Sequence, residues 1–346
     1  MKNHDFYDLQ SEARSKNFYF DFDDFTILPR ESSISERSEI QVDNSILCSS
    51  PMDTVTGAMM IKAMRSIGCD SVVHRYQSIE DIIELSAHYD HQLMIAIGSL
   101  SSHKSEIDKL IKAGVTKFVL DVAHGGSRKA IETLLYIREK LQDKAWLCSG
   151  SICTREAACD NIFGPDCTSN ALVNALRVGV GPGSSCETRK RIGVGLPLPS
   201  TIVDIRGLCE QIFPTPVTII GDGGIRNSGD FVKAIACGAD KVFVGTSFGA
   251  TEEAEGKRYN FITNSTKEQE VYKKIRGMAS ESALIDHNKE SKKLIAIEGK
   301  EQFVKVEGSV KDIAYSYLNS LKQAMFYTGA KTIDEFQEKV LFAFLK

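Results

Sequence analysis

The strongest constraint on the fold is a regular alternation of apolar segments, which predict strands, with amphipathic segments, which predict helices. The apolar segments are short and apolar on both faces, as parallel strands covered by helices are. Strands are predicted at 25–28, 45–48, 71–73, 93–97, 117–121, 145–148, 176–180, 217–220 and 241–244. Helices are predicted at 59–67, 79–88, 104–113, 127–141, 228–237 and 310–327. The eight strands from 45–48 onward, with the helical segments between them, are interpreted as eight βα units and predict an α/β protein, a TIM (β/α)8 barrel forming a single domain over residues 1–346.

Three segments do not fit the plain barrel. Residues 1–24 are polar and aromatic and are interpreted as an arm packed on the outside. After the eighth strand, residues 251–275 contain the strand-like run Tyr259–Ile262, which predicts an inserted hairpin. Residues 281–308 are polar and rich in lysine, and this composition predicts a mobile flap. Residues 251–308 are therefore expected to form a hairpin plus flap at one end of the barrel.

Charge and cysteine usage narrow the class of function. A formal net charge of −4 gives no reason to expect nucleic acid or an anionic membrane as a partner. The nine cysteines are scattered singly, which argues against a disulfide framework and for a reducing compartment. The first residues lack an apolar signal region, and no segment approaches the roughly eighteen apolar residues of a membrane span. A cytoplasmic, soluble protein is expected.

Polar and glycine-rich sequence follows several predicted strands. The fourth strand ends in Asp121–Ala123, the seventh in Gly221–Gly224, and the eighth in Gly245–Thr246. The loops after the strands of a TIM barrel build its active site, and phosphate groups are often held after strands 7 and 8. One glycine pair is more often only a turn. Several at consecutive strand ends predict a mononucleotide site.

The loop after the sixth strand, Gly179–Arg191, presents a cysteine in a glycine-rich polar turn. Glycines permit positive φ angles and close backbone approach to a ligand or an ion. Thr188 lies two residues beyond Cys186, and the cations that follow, Arg189 to Arg191, are expected to favour the thiolate. The simpler alternative is an ordinary half-buried cysteine in a turn. The residues of this loop alone leave both interpretations open.

The run Gly-Pro-Gly-Ser-x-Cys-x-Thr-Arg (181–189), followed by Lys-x-x-Gly-Val-Gly-x-Pro (190–197), resembles the catalytic loop of the IMP dehydrogenase/GMP reductase family. The resemblance covers roughly residues 20–336, and its Arg-Lys-x-x-Gly-Val-Gly half is closest to GMP reductases. Family dehydrogenases usually insert regulatory modules after the second strand. Here His74–Gln77 runs directly into the predicted helix 79–88, so we expect no such insertion.

The resemblance implies covalent chemistry at C2 of a purine. Cys186 would add to that carbon as a nucleophile, and a nicotinamide cofactor would exchange a hydride with it. In a reductase a proton must also reach the departing amine. Thr188 and Glu298, the latter within the matching motif Ala296–Lys300, would share that task. Without the motif, Glu298 would be interpreted as a solvated carboxylate of the flap.

The resemblance also implies binding roles. Asp222 would accept hydrogen bonds from ribose hydroxyls, and Met278 would lie against the base, although a plain core methionine is the alternative. The implied substrate-binding residues are Ser184, Asp222, Gly223, Gly224, Gly245, Thr246, Gly277, Met278 and Ala279. The implied cofactor-binding residues are Arg75, Asp121, Val122, Ala123, Gly179 and Gly181. Carbonyl groups of Gly181, Gly183 and Cys186 would hold a monovalent cation, K⁺, and a homotetramer is expected. His74 and His124 are assigned no role.

The flap separates the two activities of the family. Its dehydrogenases use an Arg-Tyr pair on a long flap to activate water, and residues 281–300 contain neither residue type. The sequence therefore favours GMP reductase, which would use NADPH to deaminate GMP reductively to IMP and ammonia. Ile295 and Ile297 replace an arginine and a serine of the reductases, which leaves a divergent reductase of another purine nucleotide open. The alternatives are an IMP dehydrogenase without regulatory modules and a catalytically silent barrel that binds purine nucleotides.

Overall fold

The structure is a computed structural model that describes residues 3–4, 19–164, 171–212, 217–262, 269–287 and 297–345. Most of the predicted arm (5–18), the middle of the predicted flap (288–296, including Ile295) and residues 165–170 lie outside the described residues. The strands, in chain order, are β1 (Asn3–His4), β2 (Phe25–Ile27), β3 (Leu47–Ser49), β4 (Asp70–Val73), β5 (Met94–Ile97), β6 (Lys117–Leu120), β7 (Trp146–Ile152), β8 (Ala175–Val178), β9 (Thr218–Asp222), β10 (Lys241–Val244), β11 (Arg258–Ile262), β12 (Gln269–Arg276), β13 (Glu301–Lys305) and β14 (Phe342–Phe344).

The helices surround these strands. In chain order they are α1 (Ala58–Arg65), α2 (Ile79–His88), α3 (Leu100–Lys112), α4 (Arg128–Leu141), α5 (Arg155–Phe163), α6 (Thr188–Arg191), α7 (Leu198–Ile212), α8 (Ser228–Ala236), α9 (Thr246–Gly249), α10 (Glu281–His287), α11 (Val310–Thr328) and α12 (Ile333–Lys339). Within the described part of the chain, no helix is long and apolar enough to cross a bilayer.

Strands β3 to β10 form a closed barrel in which each strand pairs in parallel with the next. The last strand closes onto the first, with Val242 opposite Leu47 and Val244 opposite Ser49. The predicted TIM (β/α)8 barrel is therefore confirmed, whereas its extent as one domain over residues 1–346 stays a prediction. Only residues 74–78 separate β4 from α2, in line with the expected absence of an insertion there.

Apolar side chains fill both faces of the barrel strands. Those that point inward form one cluster, and Trp146 packs against it as a partly buried side chain. The inward cluster comprises Cys48, Val72, Met94, Ala96, Val119, Cys148, Ala175, Ile220 and Phe243. The alternate residues of the same strands pack outward against the helices in a larger cluster. This two-sided burial explains why the strands are recognisable in the sequence as continuous apolar runs.

Capping residues define where several barrel helices begin. The side chains of Ser78, Ser127, Thr154 and Asn227 each accept a hydrogen bond from a backbone amide in the first turn of α2, α4, α5 and α8. Such a cap satisfies one of the amides that have no partner within the helix. The caps fix the length of the loops that lead from each strand end into the next helix.

The two ends of the described chain meet outside the barrel. Strand β14 pairs antiparallel with β2 and with β1, and aromatic rings of Phe20, Phe25, Phe342 and Phe344 pack edge to face beside it. The interpretation that the helix at 310–327 closes the fold is incomplete, because α12 and β14 follow it. Phe20 and Phe22 are almost fully buried, so the described end of the predicted arm is part of the packed structure.

The insertion after the eighth barrel strand is a three-stranded antiparallel sheet, β11-β12-β13. The predicted hairpin corresponds to β11 and β12, with Tyr259 opposite Tyr272. Residues 281–308, predicted as a mobile flap, include two regular elements in their described part. Residues Glu281–His287 form α10, and Glu301–Lys305 form β13, which pairs with β12. Neither element was predicted from the composition of this segment.

Candidate active site

The carboxyl ends of the barrel strands, together with the described parts of segment 277–300 (residues 277–287 and 297–300), enclose a cavity of about 900 Å³. Every site residue predicted from the sequence lines this one cavity. The set is Arg75, Asp121, Val122, Ala123, Gly179, Gly181, Gly183, Ser184, Cys186, Thr188, Asp222, Gly223, Gly224, Gly245, Thr246, Gly277, Met278, Ala279 and Glu298. The structure thus brings the predicted residues together, and their individual roles stay predictions. Met278 is a half-buried residue of the cavity wall rather than a core methionine.

The loop after β8 reaches into the cavity through glycines that no other residue could replace without displacement. Gly179 and Gly181 have φ angles of 138° and 80°. A Cβ atom on Gly179 would lie 2.1 Å from the carbonyl oxygen of Asp222, so the loop packs directly on the end of β9. The glycines are therefore required both for the backbone conformation and for the close approach.

Cys186 lies at the turn that leads into α6. Its amide donates to the carbonyl of Gly183 at 3.0 Å, and its Sγ lies 3.1 Å from Oγ1 of Thr188. The thiol is half-buried at the cavity, whereas Cys48, Cys148 and Cys237 are fully buried in the core. Burial raises the pKa of Cys148 to about 12, which makes that thiol a poor nucleophile. Cys186 is the cysteine that combines access to the cavity with a neighbouring hydroxyl group.

Two of the three cations that follow Cys186 lie next to carboxylates. Arg191 donates to Glu187 at 2.9 Å, and Arg189 lies 3.7 Å from Asp21. Both arginine side chains are more than a third exposed. The expectation that these cations favour the thiolate therefore loses part of its basis, and the hydroxyl of Thr188 is the polar group seen beside the sulfur.

Glu298 is held near Cys186 by backbone pairing. The carbonyl of Glu298 accepts from the amide of Glu187 at 2.5 Å, and the amide of Lys300 donates to Ser185 at 3.0 Å. Gly299 forms an isolated antiparallel bridge with Cys186. Because these contacts join two segments more than a hundred residues apart, they bring the Glu298 side chain to the cavity wall.

Two glycines permit this close pairing. A Cβ atom on Gly277 would lie 2.4 Å from the carbonyl oxygen of Ser185, and one on Gly299 would lie 2.6 Å from the amide nitrogen of Ser280. Neither position has room for a side chain unless the backbone moves. The cysteine loop is thus packed backbone to backbone against Gly277 and Gly299.

One end of the cavity carries the features of a phosphate site. The hydroxyl oxygens of Ser184 and Thr246 lie 2.5 Å apart, and Gly245 precedes the first turn of α9. Gly223 and Gly224 both have positive φ angles, 92° and 74°, and both line the cavity. Hydroxyl donors and glycine turns of this kind suit a phosphate group.

The floor of the cavity holds a buried ionic cluster that the sequence analysis missed. Arg177 donates to Asp121 and to Asp222, each at 2.7 Å, and Arg75 lies 3.4 Å from Asp121. Although burial acts to lower it, the two carboxylates raise the pKa of Arg177 well above its usual range. A charged residue within the otherwise apolar strand Ala175–Val178 was the signal in the sequence.

The far side of the cavity is formed by loops after β4 and β5. Arg75 donates to the hydroxyl of Tyr76 at 2.7 Å and approaches Nε2 of His103 at 3.3 Å. Burial lowers the pKa of His103, and the nearby Arg75 lowers it further. No residue of the loop after β5 was predicted. Because TIM barrel active sites are built from the loops that follow the strands, the loop after β5 could have been predicted to line the cavity.

Helix α10 is fastened to the barrel through Asp53, which the loop after β3 carries. Asp53 accepts from His287 at 2.8 Å and from Arg276 at 2.5 Å, and the ring of His287 packs on Tyr76. Although burial acts to raise it, hydrogen bonds from Arg276 and His287 lower the pKa of Asp53 below its usual value. This cluster holds the start of the flap segment against the rim of the cavity.

His74, which is assigned no role in the sequence analysis, makes a local contact. His74 accepts from the amide of Tyr76 at 3.2 Å, and burial lowers its pKa, as for a structural histidine.

Among the described residues, no cluster of three or more His, Cys, Asp or Glu side chains could hold a metal ion. The predicted K⁺ site would use backbone carbonyls instead. That of Gly183 takes one hydrogen bond from Cys186 and keeps a lone pair for a cation.

Comparison with known proteins gives a consistent result. Residues 19–345 match the family model described as IMP dehydrogenase / GMP reductase domain. An inosine-5'-monophosphate dehydrogenase of Borreliella burgdorferi is 32% identical over 385 residues, covering 91% of this chain and 91% of the relative. Proteins with the same name in Chlorobaculum tepidum and Methanocaldococcus jannaschii are 33% and 34% identical over 71% and 68% of this chain. The chain spans about half the length of these two relatives, 49% and 47%.

Proposed function

The chain belongs to the IMP dehydrogenase/GMP reductase family of oxidoreductases, and on that premise we propose that it exchanges a hydride at C2 of a purine mononucleotide bound covalently to Cys186. One observation carries the proposal. The half-buried thiol of Cys186 shares a cavity of about 900 Å³ with the hydroxyl pair of Ser184 and Thr246 and with the carboxylate of Asp222. A nucleotide whose phosphate meets the hydroxyl pair would present its ribose to the carboxylate and its base to the thiol.

The first candidate activity is oxidation of IMP to xanthosine monophosphate. The relatives reported above are all named IMP dehydrogenase, which favours this alternative over the reductase preferred from the sequence. The thiolate of Cys186 forms a bond to C2, the hydride on C2 leaves, and a thioimidate results. Water then adds to C2, the carbon–sulfur bond breaks, and the product and the thiol are released. A bound nicotinamide cofactor supplies the hydride acceptor.

The second candidate is the NADPH-dependent GMP reductase. Residues 277–300 contain no arginine and no tyrosine, so the water-activating pair of the family's dehydrogenases is missing from that segment. In this reaction the thiolate of Cys186 adds to C2 of GMP, the amine departs as ammonia, and a hydride is delivered to C2. Release of the thiolate then gives IMP.

Thr188 and Glu298 serve either reaction as proton carriers. The Thr188 hydroxyl lies beside Sγ, and the Glu298 backbone is paired with the residue after Cys186. In the reductase they deliver the proton to the departing amine. A group that protonates a leaving group at C2 can also take a proton from water that attacks the same carbon, by microscopic reversibility. The pair can therefore replace an arginine–tyrosine pair.

The residues on the far side of the cavity fit a nicotinamide dinucleotide. Asp121, Val122 and Ala123 line that side, and Arg75 contributes a cation that is paired only at 3.4 Å with Asp121. These residues would bind and orient the cofactor over the base. Whether it is NAD⁺ or NADPH follows from which candidate activity is found. K⁺ dependence, a homotetramer and a cytoplasmic location stay predictions of the family resemblance.

A direct assay tests the proposal. The purified chain is mixed with IMP and NAD⁺, and separately with GMP and NADPH, and the absorbance of the reduced nicotinamide is followed in buffers containing K⁺ or Na⁺. We expect nicotinamide reduction with IMP. Oxidation of NADPH with GMP and no reaction with IMP would establish the second candidate. Tight nucleotide binding without turnover in either mixture would instead identify a silent nucleotide-binding barrel.

A further inference from the structure

Arg177 joins two carboxylates that belong to opposite sides of the cavity. Its Nη1 donates to Oδ1 of Asp121 at 2.7 Å, and its Nε donates to Oδ2 of Asp222 at 2.7 Å. The three side chains are between 12% and 15% exposed, so the interaction is poorly screened by solvent. One guanidinium therefore fixes the orientation of both carboxylates.

The barrel makes room for this bridge. Asp222 ends the strand next to β8, whereas Asp121 follows β6, on the far side of β7. Gly150 of β7 lies opposite Arg177, and a Cβ atom on it would be 2.5 Å from Cβ of Arg177. The missing side chain at position 150 thus frees the space that Arg177 uses on its way to Asp121.

We propose that Arg177 is a positioning residue through which nucleotide binding and cofactor binding are energetically coupled. The inference rests on the proposed function, in which Asp222 meets the nucleotide ribose and Asp121 lies on the cofactor side. The hydrogen bonds of Arg177 fall on Oδ2 of Asp222, which directs Oδ1 to the ribose. Arg75 approaches Oδ2 of Asp121 from the other direction, so Asp121 is held between two guanidinium groups.

The planar guanidinium is essential to this role. Its fork of donors can bind two carboxylates at once, whereas a lysine ammonium is a point charge on a flexible stem. If Asp121 loses its charge, Arg177 is held from one side only and shifts toward Asp222. The ribose-binding carboxylate then changes both its orientation and its effective charge. Nucleotide affinity should therefore respond to a residue that lies on the cofactor side.

Calorimetric titration with IMP, in the absence of cofactor, measures how the nucleotide site responds to Asp121 through Arg177. The full chain is compared with Asp121→Asn, Arg177→Lys and the double variant, using GMP as a second probe. We expect Asp121→Asn to raise the Kd for the nucleotide about 5- to 10-fold, within the usual range of coupling between sites. Arg177→Lys should raise it by about tenfold or more, and the double variant should be no weaker than Arg177→Lys alone, since both changes break one bridge.

Asp204→Asn is the matched control. Asp204 pairs with Arg155 at 3.0 Å, is partly buried, and does not line the cavity. Both asparagine variants should lose a similar amount of thermal stability, yet only Asp121→Asn should change the nucleotide Kd. In steady-state assays the KM for the nucleotide should rise more than kcat falls. A residue that served stability alone would change neither quantity.

Different outcomes overturn different claims. An unchanged Kd in Asp121→Asn, or additive effects in the double variant, would overturn the coupling through Arg177 while leaving the proposed function intact. Failure of the unmodified chain to bind either IMP or GMP would overturn the proposed function, and the ligand role of Arg177 with it. If Arg177→Lys does not fold, as its melting curve would reveal, the comparison of Asp121→Asn with Asp204→Asn decides alone.

Discussion

The two segments that meet at Cys186 are built in different ways. The cysteine loop, residues 179–191, holds its thiol, the neighbouring hydroxyl and the glycines that shape the turn within a short piece of sequence. Residues 297–300 reach the same place by pairing with residues about a hundred positions away. The thiol is thus positioned by local sequence, whereas the Glu298 carboxylate is positioned by long-range backbone contacts. Substitutions that disturb either the reactive groups or the long-range backbone contacts, but not both, test this comparison.

Removal of the thiol should have the largest effect. Cys186→Ser replaces sulfur by oxygen, and a serine hydroxyl is a far poorer nucleophile near neutral pH. We expect turnover to be abolished, while IMP binding measured by calorimetry persists because the phosphate contacts are unchanged. Retention of more than about a tenth of the activity, a barrier change of about 1.4 kcal/mol or less, would contradict a covalent role.

The second largest effect is expected from loss of the Glu298 carboxylate, which should slow one step only. Glu298→Gln is expected to lower the steady-state rate roughly 10²–10⁴-fold, the usual value of general acid–base catalysis. The hydride step needs no proton from this group, so a first burst of nicotinamide reduction should survive in a stopped-flow experiment. Equal loss of both phases would indicate that segment 277–300 no longer packs on the cysteine loop. If neither phase is slowed, Glu298 is a solvated surface carboxylate with no role in proton transfer.

The backbone contact between the segments can be disturbed without touching either reactive group. Gly277→Ala introduces a Cβ only 2.4 Å from the carbonyl of Ser185, so one backbone must move. Small displacements of reacting groups cost about tenfold or more in rate, and we expect a loss of that order in kcat. Gly229→Ala is the control, because it lies on α8, away from the cavity. Equal activity of the two variants would contradict tight packing at this contact.

The smallest effect on rate is expected from the anchor of the extra sheet. Lys273 is 1% exposed, and its ammonium donates to the carbonyls of Thr251, Glu252 and Ala254. Lys273→Met leaves these carbonyls without their charged donor and should lower the free energy of unfolding by about 3 kcal/mol. Activity at low temperature should change only about two- to threefold, because the barrel itself is intact. Lys257→Met is the control, because Lys257 is exposed and directly precedes β11.

The same lysine predicts a pH dependence. Burial lowers the pKa of Lys273 to about 8, below the value of 10.5 that an exposed lysine has in the unfolded chain. Between these two values the unfolded state binds more protons, so raising the pH across this window should favour the folded state. Chemical denaturation at several pH values should show this slope in the native chain and its loss in Lys273→Met. An unchanged slope in the variant would assign the effect to other groups.

Much of the barrel could be predicted from sequence because its strands are buried on both faces. Helix α5 was missed because it lacks a strong apolar stripe, and its buried side chains include the small residues Ala157 and Ala158. Helix α7 does bury an apolar face, with Ile202, Ile205 and Cys209 among its buried residues, but Pro199 in its first turn obscures its start in the sequence. The start of α3 was placed four residues late, because its first turn is mostly polar.

Where motif and strand end coincide, as at Cys186 and Asp222, the residues predicted for the site line the cavity, and their roles stay predictions. The site was missed where a residue acts through contacts that only the fold creates. Arg177 lies within a strand rather than in a loop, and its partners come from two other strand ends. Strand β13 was missed for the same reason, since only its pairing with β12 makes Glu301–Lys305 a strand.

The chain contains one tryptophan, and its position has a practical consequence. Trp146 begins β7 and packs against the side chains inside the barrel, at the end away from the strand termini that form the cavity. Its intrinsic emission therefore reports on closure of the barrel and is remote from nucleotide, cofactor and segment 277–300. A fluorescence melting curve follows the barrel alone. A variant can therefore keep an unaltered emission spectrum although the distances between its reactive groups have changed.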